Sequence, residues 1–247
     1  MKKNCLIHQP AGIGDILWVQ PIVNKLISLN FIVYHPVIDL YYDMVKNTIK
    51  KDNLVWVSEN DDFPLKQHYK SDKAFSEDGN LYIPLSNSWM YMQGCSVMIS
   101  KYFYTKTPIS NWHKASTIER NGDRENRVFE IYGIDKDKPF SLINMSYGTP
   151  PNSIKRSIPL NIQTDQRIEM SFDLDQKNNI NLFDWIGVIE SAFEIFTVET
   201  STCFLADKYS KSERLYMYER KPDNSNPIFY GLTNKLYRNP NWTYEII

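Results

Sequence analysis

Apolar and polar positions along this chain follow two rhythms. Residues 4–8 form a short, largely apolar run of the kind a buried strand presents, and 16–29 (Ile-Leu-Trp-Val-Gln-Pro-Ile-Val-Asn-Lys-Leu-Ile-Ser-Leu) carry apolar residues at helical spacing. Phe31–Val37 then reads as a second strand, Tyr41–Ile49 as a second helix, Leu54–Val57 as a third strand and Leu81–Pro84 as a fourth. Strands alternating with helices imply parallel β-α-β units. From Met90 to about Ile134 the pattern is mostly helical, with a break at Pro108 and a hydrophilic stretch over Glu119–Arg127.

After the charged, proline-containing stretch Asp135–Pro139 the rhythm begins again. Strands are predicted over Phe140–Met145, Arg167–Phe172, Ile195–Val198 and Leu215–Tyr218, the last of them closing the pattern, and helices over Leu182–Ala192 and Thr202–Tyr209. A polar loop fills Gly148–Pro159. The stretch at 135–139 marks the boundary between two α/β halves. The expected architecture is therefore two Rossmann-like, parallel-sheet domains, residues 1–138 and 139–247, with their loop ends facing each other across a cleft.

Composition removes several function classes. With 28 Lys and Arg against 29 Asp and Glu the formal charge is -1, so no global field draws the chain to nucleic acid or to an anionic membrane. Cys5, Cys95 and Cys203 lack C-x-x-C spacing, which favours reduced thiols over a disulfide framework and a cytoplasmic location. No apolar run follows Lys2 and Lys3 as a leader would require, and no window approaches the length of a membrane span. His8, His35, His68 and His113 show no paired zinc spacing.

Three segments carry candidate chemistry. The first, Gly12-Ile13-Gly14-Asp15-Ile16-Leu17, stands where the first strand hands over to the first helix. A dinucleotide fingerprint needs a third glycine at the position of Leu17, and a phosphate-binding P-loop needs Gly-Lys-Ser/Thr, so neither applies. What remains is a glycine-permitted turn with Asp15 at the helix start, serving as a helix N-cap, as a general base, or as both. The second segment runs from Ser146 and Gly148 through Thr149 to Lys155 and Arg156. Backbone N–H groups freed by glycine, hydroxyl donors and two cations are the parts of a phosphate site, although a solvated loop has the same composition. The third is Glu199-Thr200-Ser201-Thr202, hydroxyl residues at a strand-to-helix junction that suit an anion site or plain capping.

Together and in this order, Gly12-x-Gly14-Asp15-Ile16-Leu17-x-x-x-Pro21-x-x-x-x-Leu26, the Gly148-Thr149…Lys155-Arg156-Ser157-Ile158-Pro159 loop and Glu199-Thr-Ser-Thr-Cys-Phe-Leu-Ala206 resemble the lipopolysaccharide heptosyltransferase-like glycosyltransferases of family 9. The resemblance implies a GT-B fold and an inverting, metal-independent transfer of a sugar from a nucleoside diphosphate donor to a hydroxyl of a glycan or glycolipid, with no cofactor. It makes residues 1–138 the acceptor side and 139–247 the donor side. Asp15 matches the family's catalytic base, Lys155 its phosphate-contacting lysine, and Glu199 to Thr202 the turn against the donor diphosphate; Gly12, Gly14, Ser146, Gly148, Thr149 and Arg156 complete the expected substrate-binding set. The chain departs from the family where Glu199-Thr200-Ser201 lacks the turn glycine, where Phe204 replaces a histidine, and where Ser157-Ile158 replaces a tryptophan before Pro159.

Two other readings stay open. One is a degenerate sugar-nucleotide or glycan-binding module without turnover. The other is a metal-dependent, GT-A-like transferase that uses Asp173-Leu174-Asp175 as a D-x-D pair.

Overall fold

The computed structural model describes residues 2–90, 97–108, 112–148, 153–219, 237 and 239–245, and these divide into two compact units, residues 1–119 and 120–247. In the first unit the elements run β1 (Lys3–Ile7), α1 (Ile13–Trp18), α2 (Gln20–Ser28), β2 (Phe31–Val37), α3 (Asp39–Thr48), β3 (Leu54–Ser58), β4 (Phe75–Glu77), β5 (Asn80–Ile83), α4 (Val97–Tyr104) and α5 (Trp112–Ala115). The sheet order is β3-β2-β1-β5-β4. All neighbours are parallel except the short edge strand β4, which turns back antiparallel on β5. Cys5, Leu6 and Ile7 of the central strand are fully buried, as a strand covered on both faces requires.

Where the periodicity predicts one helix over 16–29, the chain makes two, with the break at Val19. Pro21 is the cause: it has no N–H to donate back to the Leu17 carbonyl, and it sits in the first turn of α2, where that loss is harmless. The carbonyls freed at the break find other partners. Ser116 Oγ donates to Leu17 O at 3.2 Å, and Tyr102 Oη donates to Trp18 O at 2.6 Å. The break thus makes a docking point for α4 and for the end of α5.

The second unit holds α6 (Gly122–Ile131), β6 (Phe140–Asn144), β7 (Ser146–Tyr147), β8 (Ile154–Lys155), β9 (Gln166–Glu169), α7 (Phe172–Lys177), α8 (Ile186–Ser191, entered through a 3₁₀ turn), β10 (Glu194–Val198), α9 (Ser201–Tyr209), β11 (Leu215–Tyr218) and β12 (Trp242–Glu245). Its five-stranded sheet, ordered β12-β11-β10-β6-β9, is parallel throughout. β12 extends the sheet beyond β11, which the sequence pattern takes as the last strand. Phe172 opens α7 instead of ending a strand, because the Ser171 side chain accepts from Leu174 N and caps the helix.

The division falls at Glu119/Arg120, ahead of the expected 138/139. Charge pairing on α6 explains why. Arg124 grips Asp184 with two bonds, at 2.8 and 2.6 Å, and Arg120 bridges Glu125 at 2.8 Å and Glu190 at 2.8 Å. The stretch 135–139 is then a turn inside the second unit, between α6 and β6. Between β6 and β9 no helix occurs among the described residues. After the small β7–β8 pair, Ile158, Leu160 and Ile162 pack as an extended strap on Ile143, Met145, Phe196, Val198 and Tyr218.

Among the described residues no helix is long and apolar enough to cross a membrane. Cys5 and Cys203 are buried and form no disulfide among the described residues; Cys95 lies outside the described residues.

Candidate functional site

In an open parallel sheet, ligands bind at the carboxyl ends of the strands where the chain's direction of travel across the sheet reverses. In the first unit that point lies between β1 and β5. His8 N donates to Ile83 O at 2.9 Å, Ser86 N to His8 O at 2.8 Å, and Ser86 Oγ lies 2.9 Å from His8 Nδ1, so the two strand ends are stitched together. The chain then turns through Gly12, whose φ of +81° an L side chain rarely adopts, and enters α1. A Cβ at Gly12 would lie 2.8 Å from Asp15 Oδ2.

The N-cap of α1 is Gly12, not Asp15. Ile13 and Gly14 form the start of the helix, and Asp15 follows in its first turn, where a carboxylate still complements the dipole. Its side chain is 30% exposed and pairs through Oδ1 with Lys101 of α4, whose own side chain is 1% exposed. Sequence reasoning missed Lys101. The available signal was one charged residue in the otherwise apolar Val97–Tyr104 run, since a lysine is almost never fully buried without a partner.

In the second unit the corresponding point lies between β6 and β10. Asn144 ends β6, and its side-chain amide donates to Thr202 Oγ1 at 2.7 Å and to Thr200 Oγ1 at 3.3 Å, while its Oδ1 accepts from Ser146 N at 3.2 Å. Thr202 is 1% exposed, so its hydroxyl faces Asn144 in the interior; Ser201 and Thr200 lie nearer solvent at the start of α9. The turn holds its shape without the family's glycine: Thr200 N donates to Cys203 Sγ at 3.4 Å, and Cys203 Sγ donates to Val198 O at 3.3 Å. Glu199 N pairs with Tyr218 O at 3.0 Å.

The β7–β8 pair sets Ser146 opposite Lys155. Gly148 follows with a φ of +100°, and Thr149 lies outside the described residues. Lys155 is exposed and pairs with Glu169 at the end of β9. Arg156 donates through its backbone to Met145 O at 2.9 Å and through its guanidinium to the Glu219 carbonyl beyond β11. Burial pushes the Glu219 carboxyl upward, and the Arg156 charge opposes that shift. Ser146, Lys155, Arg156, Glu199, Thr200 and Ser201 therefore gather along the carboxyl edge of one sheet.

The crystal structure of the glycosyl transferase family 9 protein from Veillonella parvula DSM 2008 superposes on the whole chain, 100% of it and 88% of that protein, with a TM-score of 0.57 at 10% sequence identity. The chain has the fold of glycosyltransferase family 9. The iron-containing dodecameric glycosyltransferase TibC from enterotoxigenic E. coli H10407 matches with a TM-score of 0.50 at 7% identity, over 99% of this chain and 63% of that one. E. coli heptosyltransferase WaaC, in complex with ADP, gives 0.48 at 9% identity, over 98% and 93%. No protein-family model and no curated protein matches the chain by sequence.

Within this family-9 fold the departure at Phe204 and the Asp173-Leu174-Asp175 segment each have a structural account. Phe204 is 4% exposed and meets Tyr237 edge-on at 5.2 Å, a core position in place of the family's histidine. Asp173 and Asp175 lie in the first turn of α7, and the two oxygens of Asp175 accept from Tyr132 Oη at 2.7 Å and from Trp185 Nε1 at 2.9 Å. Burial raises the Asp175 pKa to about 6 despite those donors. Both Asp175 oxygens are thus engaged inside the second unit. Among the described residues no three His, Cys, Asp or Glu side chains cluster as a metal site would need.

Proposed function

We propose that this chain is a glycosyltransferase that moves a sugar from a nucleoside diphosphate donor to a hydroxyl of a glycan or glycolipid acceptor, with inversion and without a catalytic metal. One observation carries the reading: in each unit the chemically useful residues stand at the strand ends of the switch point, a partly exposed carboxylate in one and hydroxyls with cations in the other. The Veillonella protein that shares the fold is named as a glycosyltransferase, which supports the same reading.

Asp15 takes the proton of the acceptor hydroxyl while that oxygen bonds to the anomeric carbon from the face opposite the diphosphate. The bond from the anomeric carbon to the phosphate oxygen breaks, and its electrons leave with the nucleoside diphosphate. Lys155, Arg156, the backbone near Gly148, the hydroxyls of Thr200 and Ser201 and the N-terminus of α9 then take up the growing negative charge.

The test begins with a thermal-shift screen against ADP, UDP, GDP and CDP and their hexose conjugates. A ligand at about 100 times its Kd stabilises the fold by ~2.7 kcal/mol. Transfer or donor hydrolysis that persists in EDTA supports the reading, and Asp15→Asn then slows turnover by ~10²–10⁴-fold while leaving donor binding intact. A second reading, binding without turnover, draws on the pairing of Lys155 with Glu169 and the burial of Thr202. Saturable donor binding with no EDTA-resistant turnover would select it.

A further inference from the structure

We propose that Lys101 is the positioning residue of Asp15: by holding Oδ1 it fixes the carboxylate plane and leaves Oδ2 to receive the acceptor's proton. This rests on Asp15 being the base. Three contacts set the geometry. Met98, Lys101 and Tyr102, at helical spacing i, i+3 and i+4, share one face of α4, and Asp15 and Trp18 share one face of α1. Trp18 Nε1 donates to Met98 O at 2.7 Å, Tyr102 Oη donates to Trp18 O at 2.6 Å, and the Trp18 and Tyr102 rings lie 4.9 Å apart. The far end of α4 is also held, because Lys25 Nζ caps the Thr105 and Lys106 carbonyls at 3.0 and 2.7 Å.

Lys101 thus extends from a helix that is fixed at both ends. Its ammonium is 1% exposed, and besides Asp15 it meets the Met98 thioether at 3.9 Å. A buried ammonium cannot turn away to water, so its bond to Oδ1 persists. Asp15 is different: at 30% exposure it keeps one side open. On that side Gly12 gives Oδ2 room that any larger residue would fill.

The experiment is a double-mutant cycle on the full chain, with Lys101→Met, Asp15→Asn and the double variant, using whichever ADP-, UDP-, GDP- or CDP-hexose the wild type turns over. Methionine has a similar length and no charge, and the exposed side of Asp15 keeps its hydration, so the variant folds; Lys101→Gln replaces it if circular dichroism shows otherwise. The expected result is a kcat lower by ~10–100-fold with donor KM unchanged, the loss that a misplaced catalytic group produces. The double variant is then no slower than Asp15→Asn. Wild-type kcat in Lys101→Met, a change confined to KM, or a double variant well below Asp15→Asn overturns the proposal while the function stands. Wild-type kcat in Asp15→Asn, or no turnover of any donor by the wild type, overturns the function and the proposal with it.

Discussion

Asn144 at the end of β6 donates to the Thr202 hydroxyl at the start of α9, at 2.7 Å and out of contact with water. This bond ties the strand end to the helix N-terminus on which the donor site is proposed. Asn144→Ala removes the donor to Thr202 and Thr200 and the acceptor for Ser146 N. Orphaned buried polar groups cost about 1–3 kcal/mol, so urea unfolding should show a loss of that size. Nucleoside diphosphate binding by thermal shift should weaken as well, with kcat at saturating donor little changed. A variant that binds the nucleotide as the wild type does would show that the Thr200–Thr202 turn is held by its own backbone.

Much of this arrangement was legible in the sequence. The alternation of apolar strands with amphipathic helices marks both parallel sheets, and Gly12 and Asp15 stand out because glycine and a carboxylate at a strand-to-helix turn suit either a helix cap or a reactive group. What escaped notice has physical reasons. The break at Val19 is hidden because Val19, Ile22, Val23 and Leu26 continue the apolar stripe across it, leaving Pro21 as the clue. β4 is a three-residue edge strand with two exposed positions, too short to show a period. α6 begins inside the polar stretch Glu119–Arg127, where Asn121 caps it and Glu125, Val128 and Phe129 turn inward at helical spacing. Its ties to Asp184 and Glu190 are long-range, and no local pattern reveals them.

Gly12 is the position where backbone conformation and the candidate base meet. Gly12→Ala places a methyl group on a residue with φ of +81° and brings it to 2.8 Å from Asp15 Oδ2. A non-glycine residue in such a region costs about 1–3 kcal/mol. Here the group contacted is the carboxylate itself, so the side chain that must yield is the one proposed to react. Steady-state kinetics should show a lower kcat with donor KM unchanged, together with a lower Tm. A lower Tm with wild-type kcat would mean that Asp15 tolerates displacement and is not the group that takes the proton.

The two units should respond to pH in opposite senses. In the first, burial, reinforced at His8 by the Lys70 charge, lowers the pKa of His8 and of His35 to about 4, from 6.5 in the unfolded chain. Between these values the unfolded state binds more protons, so this unit gains stability as pH rises from about 4 to 6.5 and loses it as pH falls through that window. In the second, burial raises Asp175 from 3.8 to about 6, so there the folded state binds more protons and stability falls as pH rises across that interval, by at most on the order of 3 kcal/mol. Hydrogen exchange, corrected for intrinsic rates, separates the two. Amides of β1 and β2 should become better protected from pH 4.5 to 6.5, and those of α7 and α8 less so. Asp175→Asn should flatten the second trend while leaving the first unchanged; equal slopes in both units would show that Asp175 ionises freely within the fold.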